Sequence, residues 1–272
     1  MNTMTPILIA TAAASALFLG TLRCRAGHAG MKALQGHAYA HRGLHGKGLP
    51  ENSMAAFRAA LEHGYGIELD IHLMKDGNLA VIHDGSLKRT AGVDAQIADL
   101  TTEDLEQYRL EGTEEKIPLF SQVLELYAGQ KPLIIELKTD GNNQKALVDA
   151  AVKAMEGYEG PWCMESFDPR CVYFLKKNHP DVIRGQLTEN FFQSNSKLPA
   201  PVKFILRHNL VNFLTVPDFV SYKYAHRKHT ITNSICRKVW DAQGVSWTIK
   251  TQEEFDTAVK EGWLPIFEDF TP

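Results

Sequence analysis

From Gly36 onward, short apolar runs alternate with longer amphipathic ones. The runs at 38–42, 66–71, 132–138, 162–166, 182–187, 211–216, 244–249 and 264–267 have strand length, and we read each as a strand. Helical patterns lie between most of them. The segments 52–62 and 142–155 each open on an Asn cap. Segment 168–177 opens on Asp168 with Pro169 at the first helical position, and 251–260 opens on Thr251. Strands and helices in this alternation predict an α/β chain folded as a (β/α)8 TIM barrel over residues 36–272. A doubly wound sheet shares the alternation, so counting strands does not separate the two. No internal repeat and no Pro/Gly-rich linker divides this body, which reads as one domain. Between His83 and Pro118 the rhythm breaks, apart from a short capped helix at 100–105. We read about 84–117 as a small insertion after a hairpin on the second strand, because structureless loops of such length are uncommon.

The stretch from Pro6 to Leu22 carries no charge. A helix of that length, at about 1.5 Å per residue, just crosses a hydrocarbon core of about 30 Å. A signal peptide needs basic residues before its apolar run, and Met1 to Thr5 has none. A lipoprotein signal needs small residues before its cysteine, but Arg23 precedes Cys24. Arg23, Arg25 and Lys32 all follow the run. The expectation is an N-terminal transmembrane helix over 1–24 and a linker over 25–35. The chain is then membrane-anchored by a single helix, with its catalytic domain in the cytoplasm and the lipid bilayer as a partner.

Composition narrows the function. Hydrophobic residues make up 44% and charged residues 22%, as in ordinary globular domains. Lys and Arg total 29 against 32 Asp and Glu, a net charge of -3, so no large positive field is available to hold nucleic acid. The four cysteines form no CxxC pair and indicate neither a zinc site nor a disulfide framework. A mean hydropathy of -0.22 excludes a multi-span membrane protein.

The candidate chemistry sits at strand ends. The first strand ends in His41-Arg42-Gly43, on the face where barrel enzymes work. Glu51 and Asn52 open the first helix. The second strand carries Glu68 and Asp70, which strand alternation puts on one face. Two acids there repel unless a positive charge joins them, and a hard divalent cation is the simplest one. Asp76-Gly77 reads as a two-residue hairpin turn. Such a turn pairs Lys75 with Asn78 and, carried down the ribbon, sets His83 opposite Asp70. The third strand adds Glu136 as a third carboxylate and Lys138 on the same face. Lys138 and Arg42 can hold an anion as a point charge and a fork. This inventory suits phosphodiester cleavage. A cation neutralises phosphate charge and lowers the pKa of a bound hydroxyl, while one histidine removes a proton and the other protonates the leaving oxygen. Taken singly, each residue is as readily a packed or solvated side chain. Their joint placement on consecutive strand ends favours the chemical reading.

These residues resemble the glycerophosphodiester phosphodiesterase family. The likeness rests on AHRGLHGKGLPENSMAAF (40–57), GIELDIHLMKDGNLAVIHD (66–84) and IIELK (134–138), with weaker fragments in ESFDP (165–169), SWTIK (246–250) and FEDFTP (267–272). The resemblance implies a barrel with a small insertion, hydrolysing glycerophosphodiesters such as glycerophosphocholine or glycerophosphoethanolamine to glycerol 3-phosphate and an alcohol. It implies His41 and His83 as the acid–base pair, Glu68, Asp70 and Glu136 as ligands of one Ca2+ or Mg2+ ion, and Arg42 and Lys138 as phosphate contacts. Glu51 and Asn52 support the site, and Trp247 forms an apolar wall beside the glycerol or head group. Three positions depart from the family pattern: Ser53 in place of Thr, Lys250 where Asn is common, and Glu268-Asp269 at the last strand end. Two alternatives accompany this reading. One is lysophospholipase D-type hydrolysis of lysophospholipids at the membrane, to which Phe191, Phe192, Phe213 and Phe219 could contribute an apolar mouth, although core packing is the favoured role for them. The other is a non-catalytic membrane-tethered binding module, although no motif residue is missing. The basic run 223–229 reads as a solvated helix face.

Overall fold

Strand pairing closes the chain on itself. The structure, a computed structural model, describes residues 4–272. Its strands are β1 (Tyr39–His41), β2 (Gly66–Leu73), β3 (Leu79–Val81), β4 (Leu133–Leu137), β5 (Trp162–Ser166), β6 (Arg184–Thr188), β7 (Phe219–Lys223), β8 (Gln243–Ile249) and β9 (Trp263–Phe267). They run in the order β1-β9-β8-β7-β6-β5-β4-β2-β3, with β1 also paired to β2. Eight parallel strands therefore form a closed barrel with helices outside, and β3 hangs on β2 as an antiparallel hairpin arm. Closure leaves the barrel no free edge, and β7 and β8 face β2 and β4 across its mouth.

The register rows sort the side chains into layers. Tyr39, Ile134, Cys163, Ile183, Phe219, Val245, Leu264 and Ile266 fill the lower interior as one buried cluster, with Leu34 beneath them. Small residues make this packing possible. Gly185 pairs with Phe219, and a Cβ on Gly185 would lie 2.0 Å from that ring. One step further along each strand the inward positions turn polar: His41, Glu68, Glu136, Glu165 and Ser221. The outward positions, among them Ala40, Ile67, Leu69, Ile135 and Met164, pack with Phe57, Phe120, Leu147 and Leu175 of the helical shell.

Most helix starts follow the sequence. Asp168 caps Pro169–Asn178 through the Arg170 amide, and Thr251 caps Gln252–Lys260 through Glu254. The first helix differs: Ser53, not Asn52, accepts from the Ala56 amide. Asn52 instead takes a left-handed φ of 54°, which releases its side chain for the site. Helix Gln144–Ala154 follows Asn143, and no side-chain bond caps it.

Three expectations are corrected. The run 211–216 is not a strand. Residues Asn212–Thr215 form a single helical turn that Val216 ends at φ 42°, and the strand is the next run, β7, after Pro217. The hairpin register is one residue off. Leu73 pairs with Leu79 and Ile71 with Val81, so Ile82, not His83, stands opposite Asp70. The cause is the turn: Met74 bonds Asn78 around Gly77 at φ 86°, which inserts an extra residue.

The third correction concerns the N-terminus. Met4–Thr21 is an α-helix of 18 residues, about 27 Å at 1.5 Å each, against about 30 Å for a bilayer core. Among the described residues no helix is long and apolar enough to cross a membrane. The predicted single-helix anchor is thus overturned, and the cytoplasmic placement loses its premise; residues 1–3 of that segment lie outside the described residues. The end of this helix is tied to the barrel. The Leu19 carbonyl accepts from Trp240 Nε1 at 3.0 Å, Leu22 is buried in the outer core, and Arg25 forks onto Asp218 at 2.6 Å. The predicted insertion holds a 3-10 turn (Ile97–Asp99) and the helix Thr102–Leu105, which Thr101 caps. Its Leu87, Ile97, Leu105, Leu110 and Ile117 pack with Met74, Ala80 and Ile82 of the hairpin arm as a buried cluster separate from the barrel cores.

Candidate active site

The polar inward layer rises into the mouth at the strand ends. Glu68 and Asp70 from β2 and Glu136 from β4 converge, each offering an oxygen within 4.8 Å of the others. All three are buried. Lys138 Nζ lies 2.8 Å from Glu136 and 3.1 Å from Asp70. Arg42 Nε lies 3.4 Å from Asp70 Oδ2, and Asn52 Nδ2 donates to the same oxygen at 2.8 Å. Arg42 Nη1 donates to Glu51 at 2.9 Å.

The electrostatics follow from burial and crowding. Burial and then the charges of Asp70 and Glu136 push Glu68 well above the usual carboxylate range. Burial pushes Glu136 up to about 7 against the pull of Lys138. Burial also pushes Asp70 upward, but Lys138, His83 and Arg42 together overcome it and hold Asp70 well below its ordinary value. Three acids thus share a space whose two cations do not neutralise them. Such a set fits a hard divalent cation: the donors are all carboxylate oxygens, and Asp70 Oδ1, though ion-paired with Lys138 at 3.1 Å, is buried without a well-directed hydrogen bond among the described residues.

The two histidines flank this group with matched wiring. His41 Nδ1 is hydrogen-bonded to Glu268, and its Nε2 lies 3.9 Å from Glu68. His83 Nδ1 bonds Asp84 at 2.6 Å. A carboxylate on each Nδ1 holds the proton there and leaves Nε2 free to exchange one. Asp84 is bound in turn by Arg89 at 2.6 Å, and Arg89 also clamps Glu51 at 2.6 Å. Burial lowers His83 to about 4, and burial lowers His41 although Glu268 opposes it. Burial therefore favours the neutral form of both rings.

Every site residue expected from the sequence lies in or around this mouth. Trp247 stands across it on β8, edge-on to Phe167 at 5.6 Å between ring centres, and Phe167 meets Phe191 at 6.0 Å. Phe219 does not line the mouth; it fills the barrel interior. Phe213 precedes the start of β7, at the end of the barrel away from the site. The sequence reading missed Glu268 as the partner of His41, Arg89 as the clamp on Glu51 and Asp84, and Glu165, whose two buried oxygens have no hydrogen-bond partner among the described residues. For Glu268 a signal existed, an acid at the end of the last barrel strand. For Arg89 there was none, because it comes from the insertion.

Comparison with known proteins agrees with this geometry. The model of the glycerophosphoryl diester phosphodiesterase family matches residues 41–271. A glycerophosphodiester phosphodiesterase of Caldanaerobacter subterraneus subsp. tengcongensis is 34% identical over 248 residues, covering 85% of this chain and 92% of that protein. Lysophospholipase D GDPD1 of Rattus norvegicus is 37% identical over 115 residues, covering 38% of this chain and 36% of that protein. Among solved structures, a phosphodiesterase of Oleispira antarctica in complex with the product sn-glycerol-3-phosphate superposes with a TM-score of 0.70 at 22% identity, over 86% of this chain and 92% of that one.

Proposed function

The chain belongs to the glycerophosphoryl diester phosphodiesterase family and is an enzyme with phosphodiesterase activity; from that premise we propose that it hydrolyses glycerophosphodiesters to glycerol 3-phosphate and an alcohol with one divalent cation and a histidine pair. The carrying observation is the convergence of Glu68, Asp70 and Glu136 between two histidines that each bear a carboxylate on Nδ1. The three carboxylates would hold the cation. When bound, a Ca2+ or Mg2+ ion there neutralises phosphate charge and acidifies a hydroxyl. Arg42 and Lys138, which pair with those carboxylates, would also contact the phosphate oxygens as a fork and a point charge. One Nε2 accepts the proton of the attacking hydroxyl, and the other supplies one to the leaving oxygen. The accepting ring becomes an imidazolium beside a carboxylate that stabilises it, and the donating ring, which must first carry a proton on Nε2, returns to the neutral form as it gives that proton up. Asn52, held by its left-handed backbone, fixes Asp70. Glu51, clamped by Arg42 and Arg89, joins the two histidine halves of the site.

The product bound to the Oleispira phosphodiesterase supports this substrate class for the present chain. The test uses the full chain stripped with chelator. Glycerol 3-phosphate release from glycerophosphocholine, glycerophosphoethanolamine and glycerophosphoglycerol is followed before and after Ca2+ or Mg2+ is restored. Metal-dependent release supports the reading, and silence from folded, metal-loaded protein on all three rejects it. A second reading, lysophospholipid hydrolysis of the lysophospholipase D type, is favoured by the similarity to the rat enzyme and by apolar side chains beyond β6. Phe192 is 49% and Phe204 52% exposed there. The same assay run on a lysophospholipid decides it. A non-catalytic module is set aside, since the chain belongs to an enzyme family.

A further inference from the structure

The rim of β6–β8 is not used by the reaction just described, yet it is built. Lys223 ends β7 in register with Trp247 of β8, and its ammonium sits 5.6 Å from the centre of that indole ring. Glu189, just after β6, holds Lys223 at 3.1 Å. Phe167 braces the same indole edge-on. Trp247 Nε1 is buried without a hydrogen-bond partner among the described residues. The sequence reading treated Lys223 as part of a solvated helix face. It is instead a strand-end residue at the mouth, 37% exposed, directly across from the carboxylate cluster on β2 and β4.

An aromatic face beside a carboxylate is the usual receptor for a quaternary ammonium group. Here the face and the carboxylate are already occupied by the protein's own ammonium. An arriving choline group would meet a like charge on the ring, or would have to displace Lys223 from both partners. A hydroxyl-bearing group meets the opposite situation. It can donate to Glu189, accept from Lys223, and lay its C–H surface on the exposed part of the ring.

We propose that Lys223, Glu189 and Trp247 form a head-group subsite that selects polyol alcohols and rejects quaternary ammonium ones. This rests on the phosphodiesterase reading above, and it sets the substrate preference of that same site. The open, solvent-facing side of Lys223 suits the flank of the diester that varies in size, which is the alcohol rather than the glycerol.

The experiment separates affinity from turnover. His41→Asn protein, loaded with metal, is titrated by calorimetry with glycerophosphoglycerol and with glycerophosphocholine, while the unmodified enzyme is assayed on both. The expected affinity favours the glycerol diester by about tenfold, less than a like charge costs at a dry interface because Lys223 is 37% exposed to screening solvent. Adding Lys223→Met brings the ratio towards one by improving choline binding, and Lys223→Arg keeps the preference. Equal affinities, a preference for choline, or a ratio unmoved by Lys223→Met overturns the proposal while turnover by the unmodified enzyme leaves the phosphodiesterase reading intact. Absence of turnover on both diesters overturns that reading and this proposal with it.

Discussion

Glu268→Gln tests whether His41 works through its carboxylate partner. Glu268 bonds His41 Nδ1, lies 3.8 Å from His45 Nε2, and is only 17% exposed. It also accepts from Lys250 Nζ at 2.9 Å. A hydrogen bond to a charged group at such a site is worth about 1.5–3 kcal/mol, and each 1.4 kcal/mol is tenfold in rate, so kcat should fall about 10- to 100-fold. The amide also offers Nδ1 a donor, which favours the tautomer with its proton on Nε2 and blocks that nitrogen as a base. Because Glu268 acts through His41, KM should change little. The pH profile gives the sharper readout. Burial lowers the pKa of His41 and Glu268 raises it, so removing the carboxylate moves the limb governed by His41 to lower pH. Lys250 keeps Asp269 at 2.7 Å, so the fold should persist, with an unchanged melting temperature as the control. The assay is glycerol 3-phosphate release over a pH series with metal saturating. A kcat within threefold of the unmodified enzyme, or an unshifted limb, would refute the reasoning.

Two further predictions probe the metal ligands and the barrel interior. Glu136 is pushed up to about 7 by burial and Glu68 is raised well above its ordinary value, so in the metal-free protein protons occupy acids that must ionise to bind a cation. Metal affinity should therefore rise as pH rises through about 7 and fall by about tenfold per pH unit below it for each proton displaced, with calorimetry in buffers of different ionisation enthalpy counting the protons; a flat affinity would count against the site. Gly185→Ala places a methyl 2.0 Å from the Phe219 ring, and because both lie in a closed barrel the cost should exceed about 3 kcal/mol, read as a steep drop in melting temperature or in soluble yield.

How much of this was legible depends on how local each signal is. Strand β5 was read residue for residue, and the Asp168-Pro169 helix start was read correctly, because each is written in adjacent positions. Glu68 and Asp70 were paired by alternation alone. The hairpin shows the limit: Asp76-Gly77 marked the turn, but the two-residue turn that Asp-Gly favours needs a positive φ at both positions, and only Gly77, at 86°, has one. The run 211–216 was misread because an apolar string of strand length is also one turn of packed helix. The N-terminal apolar stretch has the charge bias of an anchor, but no described helix is long and apolar enough to cross a membrane. The partnership of His41 with Glu268 bridges 227 positions, and only barrel closure, by setting β9 beside β1, brings them together.

The insertion carries a consequence for heat and time. Its buried cluster is separate from the barrel's, and it supplies Arg89 while flanking His83 and Asp84. The insertion and the hairpin arm share that core, so they open together as one cooperative unit, at a lower free energy than the closed barrel beside them. Each opening unmoors one of the two proton carriers while the metal carboxylates stay in place on the strands. On warming, the enzyme therefore falls silent before it unfolds, and it recovers on cooling for as long as the barrel beneath has not melted.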